Sequence, residues 1–138
     1  MKRHFCLLNL AIILLVTSAC SSNSLEANSL EATCEKADNY VATWNVTEDS
    51  SYEGTYDEDS DSYIVVVELG RSIYNDLDDR DNTWTLTTYL FTEAIQSKYY
   101  PELKELFADF DTDVLVGVKD CNGNLTCIIE NDKILDAR

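Results

Sequence analysis

The chain has 138 residues, of which 26 are acidic and ten basic, giving a formal net charge of −16 with a single histidine, His4. Charge of this size repels nucleic acid and anionic lipid surfaces, so neither is an expected partner. If His4 leaves with the leader described next, no Ser-His-Asp or Cys-His pair and no imidazole zinc site remains, and the singly scattered Gly54, Gly70, Gly117 and Gly123 give no glycine-rich phosphate loop.

Lys2, Arg3 and His4 precede an uncharged run from Phe5 to Val16 that is apolar except for Asn9. This is the layout of a signal peptide. A helix of about a dozen residues covers roughly 18 Å, well short of the ~30 Å hydrocarbon core that a membrane span must cross. Val16, Thr17, Ser18 and Ala19, small or apolar, then lead directly into Cys20. This stretch resembles the lipobox of bacterial lipoproteins, and the resemblance covers the leader alone. It implies cleavage before Cys20, a diacylglycerol on the Cys20 thiol, and further acyl chains such as palmitate that make the anchor effectively permanent. Ser21 stands where aspartate would retain such a protein at the inner membrane, so the resemblance implies an outer-membrane, periplasm-facing location. The alternative is ordinary signal cleavage after Thr17-Ser18-Ala19, giving a secreted protein. Four cysteines, Cys20, Cys34, Cys121 and Cys127, would then remain, with Asn45-Val46-Thr47 and Asn124-Leu125-Thr126 as glycosylation tripeptides.

Loss of residues 1–19 removes His4, Lys2 and Arg3. Ten basic residues less two leave eight against 26 acidic ones, a mature formal charge of −18. A cationic protein partner or bound divalent cations fit that charge, and no acid pair stands out for carboxylate hydrolysis. A non-catalytic domain is expected.

Residues 20–28 read as the lipidated cysteine and a small, polar tether, and residues 29–138 as one domain. Leu30, Cys34, Ala37, Val41 and Trp44 fall at steps of four and three, which predicts a first helix from about Ser29 to Trp44. Thr47 to Ser62 shows neither helical nor strand period and reads as an acidic loop. Within it Asp57, Asp59 and Asp61 take positions one, three and five of a twelve-residue frame ending at Glu68, which resembles the calcium loop of EF-hands. Ser62 replaces the turn glycine, and Glu68 ends a valine-rich strand where the motif has a helix, so a solvated acidic loop is the favoured reading. Tyr63 to Leu69 is that strand, β-branched and suited to burial on both faces.

A second acidic stretch, Asp76, Asp78, Asp79 and Asp81, precedes Trp84, Phe91, Ile95 and Tyr99 at helical spacing, although Trp84, Leu86, Thr88 and Leu90 also alternate like a strand. Pro101 suits the first turn of another helix carrying Leu103, Leu106, Phe107 and Phe110. Val114 to Lys119, Asn122-Gly123 and Leu125 to Glu130 then form a β-hairpin. The order α, β, α, α, β, β predicts an α+β fold, with helices packed on one face of a small antiparallel sheet.

With Cys20 lipidated, Cys34, Cys121 and Cys127 are left over in an oxidising compartment. Reading Asn122-Gly123 as a two-residue turn pairs Val118 with Cys127, and puts Val114, Val116, Val118, Leu125, Cys127 and Ile129 on one apolar face. Cys34 lies in the apolar stripe of the first helix, so a Cys34–Cys127 bond is preferred to Cys121–Cys127 or Cys34–Cys121. The functional expectation is a small acidic domain that binds a protein partner, in the manner of an immunity or inhibitor lipoprotein or an assembly pilotin. The alternative is a calcium- or small-ligand-binding module built on Asp57, Asp59, Asp61 and Glu68.

Overall fold

The computed structural model describes residues 29–77 and 83–138. The signal peptide, Cys20 and its tether lie outside them, as do Asp78, Asp79 and Asp81. Helix α1, Leu30–Val41, starts at Ser29, whose hydroxyl oxygen accepts a hydrogen bond from the Ala32 amide at 3.1 Å and so satisfies one of the free N–H groups of the first turn. It ends three residues earlier than its apolar spacing suggests. Trp44 is nevertheless buried just beyond it, stacked on Tyr99 with ring centroids 5.0 Å apart and met edge-on by Tyr40 and Tyr52.

The predicted acidic loop is half strand. Ser51–Asp57 forms β1, which pairs antiparallel with β2, Ser62–Glu68, from Ser51↔Glu68 to Asp57↔Ser62. Tyr52, Gly54 and Tyr56 supply its inward side, so the alternation is real but carried by tyrosine and glycine rather than by β-branched residues. A 3-10 turn, Arg71–Tyr74, leads towards α2, Thr83–Lys98, which is helical through its threonine-rich half. Helix α3, Tyr100–Leu106, follows with Pro101 in its first turn, where the missing N–H costs nothing.

Strand β3, Asp113–Lys119, then pairs parallel with β2, and β4, Leu125–Glu130, and β5, Lys133–Asp136, complete the sheet in the order β1-β2-β3-β4-β5. Three of the four pairings are antiparallel, and the fold is α+β as the element order implies. Strand β5 escaped the sequence reading, although Asn131 and Asp132 form a two-residue turn with φ of 49° and 62°, the left-handed pair that tight hairpins require. Asp132 is held from the helices, by Lys104 Nζ on its carboxylate at 2.6 Å and Gln96 Nε2 on its carbonyl at 2.7 Å.

The helices lie on one face of the sheet. Tyr63 stacks on Phe107, the Tyr100 hydroxyl donates to the Val114 carbonyl at 3.0 Å, and Tyr63, Val65, Val67, Val116, Val118 and Ile129 are fully buried beneath them. Gly54 lets α1 approach β1, since a methyl there would overlap the Tyr63 hydroxyl, which donates to Asp38 Oδ1 at 2.6 Å.

The β3–β4 connection corrects the expected two-residue turn. Asp120 N–H donates to the Asn124 carbonyl and Gly123 N–H to the Asp120 carbonyl, with Gly123 at φ +80°, so three residues make the turn. Lys119 then faces Leu125, and Thr126 is an extra residue before Val118 meets Cys127. The bulge restores the predicted register further out, which is why Val114, Val116, Val118, Cys127 and Ile129 share the buried face while Leu125 is turned away from it.

Candidate interaction surface

With the three described helices on one side, every second strand residue points to a face that no helix among the described residues covers. The strand register places Ile64 beside Leu115, and Val66, Gly117, Ile128 and Leu135 in a row across β2 to β5. Leu125 folds over Gly117, its Cδ1 standing 3.2 Å from where a Cβ would be. Leu125 and Leu135 are 40% and 42% exposed, and Ile64, Val66, Leu115 and Ile128 are half-buried. The surface is therefore a contiguous apolar stripe on a wet sheet face, the kind of patch that marks an interaction site. Register neighbours Glu68 with Lys119, and Glu130 with Lys133, balance charge at its two margins, whereas Glu53 on β1 has Val66 beside it.

Helix α2 has its polarity reversed. Its buried residues are Thr88, Thr92 and Ile95, while Leu86 and Leu90 are 58% and 55% exposed. The threonines tolerate burial because Thr88 Oγ1 donates to the Trp84 carbonyl at 2.9 Å and Thr92 Oγ1 to the Thr88 carbonyl at 2.8 Å. Thr88 also meets the Tyr74 hydroxyl at 2.7 Å. Leu86, Tyr89 and Leu90 thus form a second apolar exposure, on the helix side of the molecule.

Charge divides the molecule unevenly. From Ala37 to Gly70 there is no lysine or arginine, against nine acidic residues: Asp38, Glu48, Asp49, Glu53, Asp57, Glu58, Asp59, Asp61 and Glu68. The stretch of chain that forms β1 and β2 is therefore strongly anionic.

The calcium-type frame is not brought together. Asp57, Asp59 and Asp61 sit in the β1–β2 turn, but Glu68 is at the far end of β2, about 20 Å away at ~3.3 Å per residue. The turn uses the carboxylates itself: Asp57 Oδ1 accepts from the Asp59 amide at 3.1 Å and Oδ2 from Ser60 Oγ at 2.7 Å. Asp61 Oδ1 accepts from the Tyr56 hydroxyl at 2.6 Å and Thr112 Oγ1 at 3.1 Å, which ties the turn to the start of β3. The Tyr56 phenol is pushed up to about 12, chiefly by that bond to a carboxylate. Among the described residues no group of three or more Asp, Glu, His or Cys is arranged to hold a metal.

Among the described residues Cys34, Cys121 and Cys127 are free thiols. The Cys34–Cys127 bond is not formed, and topology explains why. Helix α1 packs on β1 and α3, whereas Cys127 lies on β4 under α2, three strand spacings of ~4.8 Å across the sheet. Burial raises the pKa of all three thiols, and Asp38 and Glu31 raise Cys34 further, so none is primed as a nucleophile.

A shallow cleft of about 250 Å³ opens between α2 and the β4–β5 edge, lined by Thr85, Tyr89, Thr126, Cys127, Asp136 and Arg138. Its charges are spent on each other. Arg138 Nη2 and Nε donate to the two Asp136 oxygens at 2.6 and 2.9 Å, and Nη1 reaches Thr85 Oγ1 at 3.2 Å. The pairing holds the Asp136 carboxyl at about 2. A small cleft with an ion-paired acid and a protonated thiol offers little to a substrate. Sequence reasoning missed both apolar exposures, because they follow from which strand faces and which helix side the packing leaves open. Among the described residues no helix is long and apolar enough to cross a membrane. No protein-family model matches the chain, and neither the curated proteins nor the solved structures searched contain a match.

Proposed function

We propose that this is a non-catalytic, protein-binding lipoprotein, anchored through Cys20 in the outer membrane, whose periplasm-facing domain receives its partner on the uncovered face of the sheet. The observation that carries the reading is the apolar stripe of Ile64, Val66, Leu115, Leu125, Ile128 and Leu135 on a strongly acidic domain. A protein of this charge has no solubility reason to keep six branched apolar side chains on a solvated face, and a partner's apolar surface supplies one. The anchor rests on the lipobox resemblance at Val16–Cys20. An immunity, inhibitor or assembly role fits a small domain that acts by occupying another protein.

The test is a photo-crosslinking residue at Leu115 or Ile128 in intact cells, with Glu105, exposed on the outer side of α3, as the control position. One protein captured from the sheet positions and not from Glu105 supports the reading. Equal background at all three positions refutes it. Cys20→Ser in the same cells is expected to leave an uncleaved precursor; a variant still cut before residue 20 refutes the lipid anchor.

A further inference from the structure

The two edges of the sheet are not alike. Natural sheets guard their edges with short strands, lysine, proline or bulges, because an open row of N–H and C=O groups invites another strand. Strand β5 has such guards: it is four residues long and begins at Lys133. Strand β1 has none. It runs seven residues, Ser51–Asp57, without lysine, proline or bulge, and its register with β2 is unbroken from end to end. Among the described residues, no backbone hydrogen bond outside that pairing reaches residues 51–57.

What surrounds β1 selects the strand that would join it. On the helix side Asp38 stands beside Gly54, and on the uncovered side Glu53 is exposed; Asp57, Glu58 and Asp59 close one end and Glu48 and Asp49 the other. No basic residue occurs in the chain between Lys36 and Arg71. A second copy of this chain would bring its own Glu53, Asp57 and Glu58 against the same set, so like charge opposes self-pairing. Inward along the uncovered face, Val66 and Ile64 follow directly from Glu53 and Thr55, which gives a newcomer's side chains an apolar footing next to the charged margin.

We propose that the partner adds an extended, cationic segment to β1 as a sixth strand of the sheet. Main-chain hydrogen bonds hold it, basic side chains answer Glu53 and Asp38, and the rest of the partner reaches over the apolar stripe. This rests on the reading of the domain as protein-binding and specifies where and how contact begins.

The probe is a synthetic seven-residue peptide, Lys-Lys-Val-Val-Lys-Lys-Val, which as a strand presents both lysine and valine on each face, added to the mature chain with amide hydrogen exchange as the readout. The expected result is slowed exchange confined to residues 51–57. A peptide of the same side chains, N-methylated at alternate positions so that its ladder donors are gone, is expected to bind about tenfold more weakly or worse. Glu53→Lys, which reverses the charge and places lysine on the edge, is expected to abolish binding while its circular dichroism stays that of the parent. Equal binding of the methylated peptide overturns strand addition in favour of bare charge attraction. Protection outside β1, no binding, or self-association of the chain through β1 overturns it as well. Crosslinks captured at Ile128 with β1 exchange unchanged would sink this proposal and leave the protein-binding reading standing.

Discussion

Replacing Thr88 by valine adds hydrophobicity to a buried site and is nevertheless expected to destabilise the domain. Thr88 and Tyr74 are both almost completely buried, and the Tyr74 hydroxyl is bonded to Thr88 Oγ1 at 2.7 Å. Burial pushes that phenol up to about 12, so at neutral pH it is a neutral hydroxyl that needs a partner. Thr88→Val leaves it unpaired in the core, at a cost of about 1–3 kcal/mol. Tyr74→Phe costs less, about 1 kcal/mol, because Thr88 Oγ1 still donates to the Trp84 carbonyl. The double variant removes both groups and should cost no more than the worse single change, so the two effects fall short of additivity by about 1 kcal/mol or more. Urea unfolding at pH 7 with an unchanged slope measures all three. On the same helix, Leu86→Gln and Leu90→Gln should each stay within ~0.5 kcal/mol of the parent, since both leucines are exposed and glutamine is nearly as good a helix former. Additive single effects, or a Thr88→Val protein as stable as the parent, would refute the reversed polarity of α2.

Gly54→Ala should cost about 1–3 kcal/mol, because the added methyl overlaps the Tyr63 hydroxyl and lies 2.9 Å from Tyr63 Cζ, and a ring stacked on Phe107 cannot retreat. A thermal melt lower by several degrees checks this, and an unchanged melt would show that α1 does not press on β1. Asp136 should titrate at about 2 when followed by carbon NMR of its carboxyl, and Arg138→Ala should return it to the ordinary carboxylate range. The sign follows from the depressed value: the pair's stabilising effect is complete above the ordinary range and is lost as pH falls through about 2, so neutral and alkaline pH leave it untouched.

The helices and the hairpin were legible because Leu30, Cys34, Ala37 and Val41, and then Val114 to Ile129, carry the periods that burial on one side imposes. Strand β1 was not, because its inward residues are Tyr52, Gly54 and Tyr56, and its outward ones resemble any acidic loop. The tight turn at Asn131-Asp132, between Ile128-Ile129 and Ile134-Leu135, was a signal for β5 available in the sequence. The hairpin faces came out right from Val118 outward through two compensating errors, a three-residue turn and a bulge at Thr126, with Leu125 misplaced between them. The cysteine pairing failed for a different reason. Facing stripes say that a helix meets a sheet, but not which strand it lies over, and α1 chose β1. The uncovered face shared that obstacle: Ile64, Val66 and Leu115 read as core until the helices are known to lie on the other side.

The parallel pairing of β2 with β3 also bears on how the chain folds. Ser62 sits opposite Asp113 and Glu68 opposite Lys119, so the central seam of the sheet joins residues 51 apart, while every other pairing joins strands linked by a short turn. The β1–β2 and β3–β4–β5 units can form locally, but the loop holding α2 and α3 must close before Val65, Val67, Val116 and Val118 share a core. That closure carries the entropic cost of long-range contact and sets the pace of folding. A chain that emerges N-terminus first therefore exposes the valine-rich β2 until Asp113–Lys119 has followed it out.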